Sequence, residues 1–134
     1  MNITFYEDLL KALQEYNGYV DNYGNKIVKY PPKDATYPHT QFSEIRNVPL
    51  NNYNGCFERV TSVGYLAKIK AKSKGKIDKE TIARHCAKIV DDFCNKIGLN
   101  RVSYNIHDDV LDNSIVEIIL TYSGNLSENR YKLI

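Results

Sequence analysis

Between positions 68 and 76 a lysine stands at every second residue. Successive side chains of an extended chain point to opposite faces, so wherever this stretch is a strand Lys68, Lys70, Lys72, Lys74 and Lys76 project from one face as a basic stripe. Such a stripe meets a phosphate backbone or an acidic protein surface. Lysines also keep a strand end soluble and block edge-to-edge pairing, and this plainer role carries more weight here, because no aromatic residues interleave with them to stack on bases.

Other chemistry-bearing residues are scattered. His85, Cys86, Cys94, Cys56 and His107 are all possible metal ligands, but they include no Cys-x-x-Cys and no pair four apart on a helix. Neighbours such as His85 and Cys86 diverge by about 100° on a helix, so they make a poor base and nucleophile as well. A surface histidine and core cysteines are expected. Asp108, Asp109 and Asp112 cluster as in a cation loop, yet carboxylates in turns more simply bind their own backbone. Asp91 and Asp92 read as a solvated helix edge rather than an acid/base pair. No Gly-rich phosphate loop, Gly-x-Ser-x-Gly elbow or His-Glu-x-x-His helix is present. The chain is expected not to be an enzyme and to need no metal or cofactor.

The elements that must position these residues are organised around one helix. Asp78 caps a stretch in which Ile82, Cys86, Ile89, Val90, Phe93 and Ile97 recur at steps of three and four, and Gly98-Leu99 supplies a left-handed stop. Its apolar side needs a surface to lie on, and β-like sequence on both flanks makes that surface a sheet. An earlier helix is expected over residues 4 to 17, opening on a Thr4/Glu7 capping box, with Tyr6, Leu9, Leu10, Leu13 and Tyr16 as its stripe and Asn17-Gly18 as its end.

Strands are expected at Ile27 to Tyr30, at about Thr40 to Arg46, and at Phe57 to Lys72, where Val63, Tyr65, Ala67, Ile69 and Ala71 alternate with Gly64, Leu66, Lys68, Lys70 and Lys72. Asn47 to Cys56 reads as an exposed loop whose apolar residues, Val48, Leu50 and Tyr53, either contact a partner or fold back on the sheet. Arg101 to His107 alternates, with Val102, Tyr104 and Ile106 on one side. Ser114 to Tyr122 is almost continuously apolar, as in a central strand buried on both faces. The expected architecture is therefore α+β, a small, mostly antiparallel sheet packed by two helices in the order helix, strands, helix, strands. It forms a single domain over residues 1-122, followed by a polar tail from Ser123 to Ile134 that orders against a neighbour.

Bulk properties set limits on partners. The 134 residues suffice for one core without disulfide staples, and the three cysteines do not form a framework. Cys86 and Cys94 lie roughly 12 Å apart along one helix, at about 1.5 Å per residue. With 18 basic and 16 acidic side chains the net charge is +2, which does not indicate a globally basic nucleic-acid binder. No apolar run is long enough to span a membrane, and the start of the chain lacks a leader pattern, so a soluble protein of the cytoplasm is expected.

With this order of elements the chain resembles the neck proteins of long-tailed bacteriophages, the tail-terminator, tail-completion and head-to-tail joining group. The resemblance rests on the Phe5 to Tyr16 helix, the Tyr37-Pro38 step into Tyr-Pro-His-Thr-Gln-Phe-Ser-Glu-Ile, a loop before a long strand, the Ile82 to Ile97 helix and the closing strands. It implies a structural assembly protein that forms a hexameric ring at the head-proximal end of the tail tube. There it would end tail growth and join the tail to the head, with the tail tube protein, the head connector protein and further copies of itself as partners. Nucleic acid would pass only as the genome, and the protein would move from the bacterial host cytoplasm into the virion. The family has no catalytic residues to carry over. The lysine stripe and the C-terminal tail depart from its texture and leave open a terminator, a joining protein or a phage-derived particle without a head. The competing class is a small nucleic-acid-binding module using the stripe; an enzyme acting through His85 or His107 is the least supported.

Overall fold

A computed structural model describes residues 4–50 and 59–134. The chain runs α1 (Phe5–Val20), β1 (Lys26–Val28), β2 (His39–Leu50), β3 (Val60–Lys72), α2 (Lys79–Ile97), β4 (Asn100–Asp108), β5 (Ile115–Ser127) and β6 (Lys132–Leu133). The strands form one sheet in the order β1-β2-β3-β5-β4, with β6 on β5. Only the β1–β2 pair among them is parallel. The fold is thus α+β with a mostly antiparallel sheet.

α2 forms for the expected reasons. The Asp78 side chain accepts the Glu80 N–H, and Gly98 sits at φ 101° with its N–H on the Cys94 and Asn95 carbonyls. The helix crosses over from β3 to β4, and β5 later fills the place between them. Its buried stripe of Ile82, Cys86, Val90, Phe93 and Cys94 packs on the β3 residues Val63 to Ala71 and on Ile118, Leu120 and Tyr122 of β5. α1 lies against β1 and α2. It brings Tyr6 onto a stack with Phe42 and Tyr65, the three ring centroids 5.6–6.2 Å apart. No described helix is long and apolar enough to cross a membrane.

Several expected boundaries shift. α1 does not open on a capping box, since Thr4 makes no side-chain cap. It also continues through Gly18 to Val20, because Asn17 is buried and its amide donates to the Asn25 carbonyl, so this asparagine faces the core rather than ending the helix. β2 does not stop at Arg46 but pairs with β3 as far as Leu50, so Val48 and Leu50 are strand residues and not loop. Among the described strands β1 covers only His39 to Gln41, so the Pro49 end of β2 is a sheet edge, where proline is tolerated. Tyr53 and Cys56, with the rest of the expected loop after Leu50, lie outside the described residues.

β5 is interior but buried on one face only. Ile118, Leu120 and Tyr122 are covered, whereas Glu117, Ile119 and Thr121 are half-buried. The strand also passes Tyr122 and continues to Ser127. β3 pairs along its whole length, so β4 and then β6 share its other edge end to end. Residues from Ser123 onward are therefore sheet and its return, not a tail waiting for a neighbour. Leu133 packs on the core, and Tyr131 meets Phe5 edge-on at 5.5 Å. In β4 a bulge between Arg101 and Ser103 turns Val102 outward to 62% exposure, and only Tyr104 and Ile106 of the expected trio reach the core.

Candidate docking face

Both helices cover the same side of the sheet, and the alternating residues fill the other side. Register places His39, Lys70, Glu117 and His107 in one row across four strands, then Gln41, Lys68, Ile119 and Asn105, then Ser43, Leu66, Thr121 and Ser103. Lys68, Lys70 and Lys72 share this face, as the alternation requires.

The stripe stops there. β3 ends at Lys72, and Lys74 to Ile77 close a tight turn through two backbone bonds of 2.9–3.0 Å with Gly75 at φ 59°. That turn redirects the chain, and Lys74 donates to the Tyr23 carbonyl at 2.7 Å. Lys76 is exposed in the turn. Five lysines at alternate positions thus give three on the face, since the extended conformation that would align them all is not kept.

The three are not equivalent. Lys70 Nζ lies 3.3 Å from Asp109 and 3.7 Å from Glu117, and Glu117 also takes His107 Nε2 at 2.9 Å. Lys72 Nζ stands 4.6 Å over the Tyr37 ring. Lys68 forms no ion pair among the described residues. Beside it a polar hollow of about 280 Å³ opens between Pro31, Tyr37, His39, Gln41 and Lys70. His39 is buried in its wall with Nδ1 3.2 Å from the Thr36 carbonyl, and burial lowers its pKa.

Val48 and Leu50 occupy the same face at the other end, 51% and 39% exposed. Through their β3 partners Ser62 and Val60 they lie roughly 20 and 26 Å from Lys68, at about 3.3 Å per residue. Between the two groups the β2 bulge puts Ile45 and Arg46 over Gly64, where a Cβ would meet Arg46 Cβ at 3.2 Å and Ile45 Cγ1 at 3.3 Å. Arg46 then reaches across to the Ser62 hydroxyl at 2.9 Å and the Val63 carbonyl at 3.1 Å. The face is thus a cationic end and an apolar end joined by a tightly packed middle.

The remaining candidates separate. Cys86 and Cys94 are fully buried, and burial pushes the Cys86 thiol up to about 12 and raises that of Cys94. His85 instead meets the Tyr23 ring edge-on at 5.0 Å. Asp108 pairs with Lys79 at 2.9 Å and Asp109 with Lys70, while Asp112 binds the Ser114 N–H and hydroxyl. Asp91 accepts the Tyr122 hydroxyl at 2.8 Å. Among the described residues no three His, Cys, Asp or Glu side chains are grouped to hold a metal ion.

Sequence reasoning passed over Val110 and Leu111, which stand at the β4–β5 turn 92% and 96% exposed. The signal was present as two aliphatic residues inside a turn of aspartates and asparagine. Comparison with known proteins finds no family model and no curated protein that matches the chain.

Proposed function

We propose that this chain is a structural assembly protein of a phage or phage-like tail, one subunit of a hexameric ring at the head-proximal end of the tail tube that ends tail growth and joins the tail to the head connector. The observation that supports this reading most is a sheet with helices on one side only, whose other side carries exposed Val48 and Leu50 at one end, Ile45 in the middle, and Lys68 and Lys72 at the other end. Large aliphatic side chains on a sheet face are suited to burial against another protein, and a ring places one patch of each subunit against a different patch of the next. The element order that resembles the neck proteins agrees with it. In this account the protein matures in the host cytoplasm and ends in the particle.

A second reading, a nucleic-acid-binding module, draws on Lys68, Lys70 and Lys72 sharing a face. Two carboxylates beside Lys70 weaken it, because they already neutralise the middle of the stripe. The test is complementation of particles lacking this chain with a Lys68→Ala/Lys70→Ala/Lys72→Ala variant. Poor assembly from a folded variant supports docking through this face; normal assembly removes the lysines from it. Duplex affinity that falls steeply with salt would favour the second reading.

A further inference from the structure

The polar hollow beside Lys68 stands on two adjoining cross-strand pairs. Register sets His39 opposite Lys70 and Gln41 opposite Lys68, so these four side chains rise together from the uncovered face. The segment from Pro31 to Tyr37 supplies the remaining wall. That segment is held in place. The Ala35 N–H donates to the Pro32 carbonyl at 3.1 Å, the Tyr37 ring centroid lies 4.9 Å from that of His39, and Lys72 stands over the same Tyr37 ring. At about 280 Å³ the hollow falls at the small end of ligand sites, which run from roughly 300 to 1,000 Å³, so it suits a single polar group rather than a large ligand.

Its charge has one sign. Lys33, Lys68 and Lys70 line it together with His39 and Gln41, and no described carboxylate does; Asp34, the acid of the same segment, lines a neighbouring hollow toward β1. Lys70 already has Asp109 and Glu117 beside it. The uncommitted cations are Lys33 and Lys68, neither of which forms an ion pair among the described residues.

Two free cations would suit many anions, and His39 narrows the choice. The ring is 8% exposed, and its Nδ1 lies 3.2 Å from the Thr36 carbonyl. A carbonyl can only accept, so Nδ1 carries the proton. Burial first, and Lys70 after it, disfavour a second proton on the ring. Nε2 is then a lone-pair acceptor, and no described group donates to it. Cations beside a hydrogen-bond acceptor select an anion that still carries a proton. Carboxylates, sulfate and phosphodiesters have none near neutral pH. Inorganic phosphate keeps one, and so does a phosphate monoester near its second pKa of about 6.

We infer that this hollow binds a protonated phosphoryl group, inorganic phosphate or a small phosphate monoester, with Lys33 and Lys68 on its charged oxygens and its P–OH donating to His39 Nε2. The inference is independent of the assembly reading, which uses the face without requiring a ligand in it. It also differs from the nucleic-acid reading, since the backbone phosphodiester offers no P–OH.

Titrations of the full chain at about pH 6.5, followed by amide and histidine side-chain spectra at constant ionic strength, test it with four probes: inorganic phosphate, glycerol 3-phosphate, sulfate and dimethyl phosphate. Inorganic phosphate or glycerol 3-phosphate is expected to bind saturably, the tighter of the two naming the source. Shifts should be confined to residues 33–41 and 68–70, and the His39 Nε2 resonance should move as its lone pair is engaged. Sulfate should bind roughly tenfold more weakly or worse, and dimethyl phosphate should not saturate. Lys33→Gln/Lys68→Gln, two changes outside the core, should weaken the phosphate by roughly tenfold or more. Sulfate binding as well as phosphate would mark an adventitious anion only and overturn the inference. An unmoved Nε2 resonance, or full affinity in the double variant, would overturn it too. Duplex binding without saturation by either phosphate would overturn it in favour of the nucleic-acid module. Particles that assemble normally without this chain would leave it untouched, because its readout is binding alone.

Discussion

Lys70 lies 3.3 Å from Asp109, so a strand in the middle of the sheet grips the β4–β5 turn across the uncovered face. The Leu111 N–H and then Lys70 hold the Asp109 carboxyl below its ordinary pKa. The turn therefore gains from this carboxylate above the usual value of about 4, and loses that gain as pH falls through the lowered one. Lys70→Met should raise amide exchange at residues 109–114 and leave the Val63 to Ile69 amides protected. Equal exchange in both proteins would show that the pair does not hold the turn.

His39 gives a pH effect in a different range. Burial lowers its pKa, so the unfolded chain binds the proton more readily than the fold does. Stability is then complete above about pH 6.5 and declines as pH falls below it. His39→Gln should flatten that decline in urea melts taken between pH 7 and 5. An unchanged slope would mean that His39 does not carry it.

The Tyr65 hydroxyl is buried without a hydrogen-bond partner among the described residues. Leaving such a group dry costs roughly 1–3 kcal/mol, while the ring itself stacks on Tyr6 and Phe42. Tyr65→Phe should keep or raise the unfolding midpoint. A loss of more than about 1 kcal/mol would reveal a bond for that hydroxyl.

Leu133 closes the sheet rather than trailing from it. It is half-buried on the core, and its Cδ2 lies 3.3 Å from where a Gly124 Cβ would be. Leu133→Ala should cost about 1–2 kcal/mol in chemical denaturation, toward the low end for a leucine because it is only partly covered. No measurable cost would return the last residues to the status of a tail.

How much was legible follows from which signals are local. α2 could be read to within two residues of its observed start and stop because cap, stripe and glycine stop all lie inside it. The β3 alternation was equally clear, and with it the shared face of Lys68, Lys70 and Lys72. What failed depended on partners distant in sequence. Val48 and Leu50 resemble loop until Ser62 and Val60 pair with them, and Ser123 to Ser127 resemble tail until the far end of β3 does the same. The outward turn of Val102 comes from a bulge, which leaves no mark on the pattern of residue types. Neutralisation of Lys70 required Asp109 and Glu117 to arrive from a hairpin beyond α2, distant in sequence.

Electron microscopy of particles assembled without this chain tests the assembly role most directly. The account predicts tails of uncontrolled length, or finished tails lying free of heads, with normal structure regained when the chain is supplied in trans. Complete, infectious particles of normal tail length in its absence would contradict it.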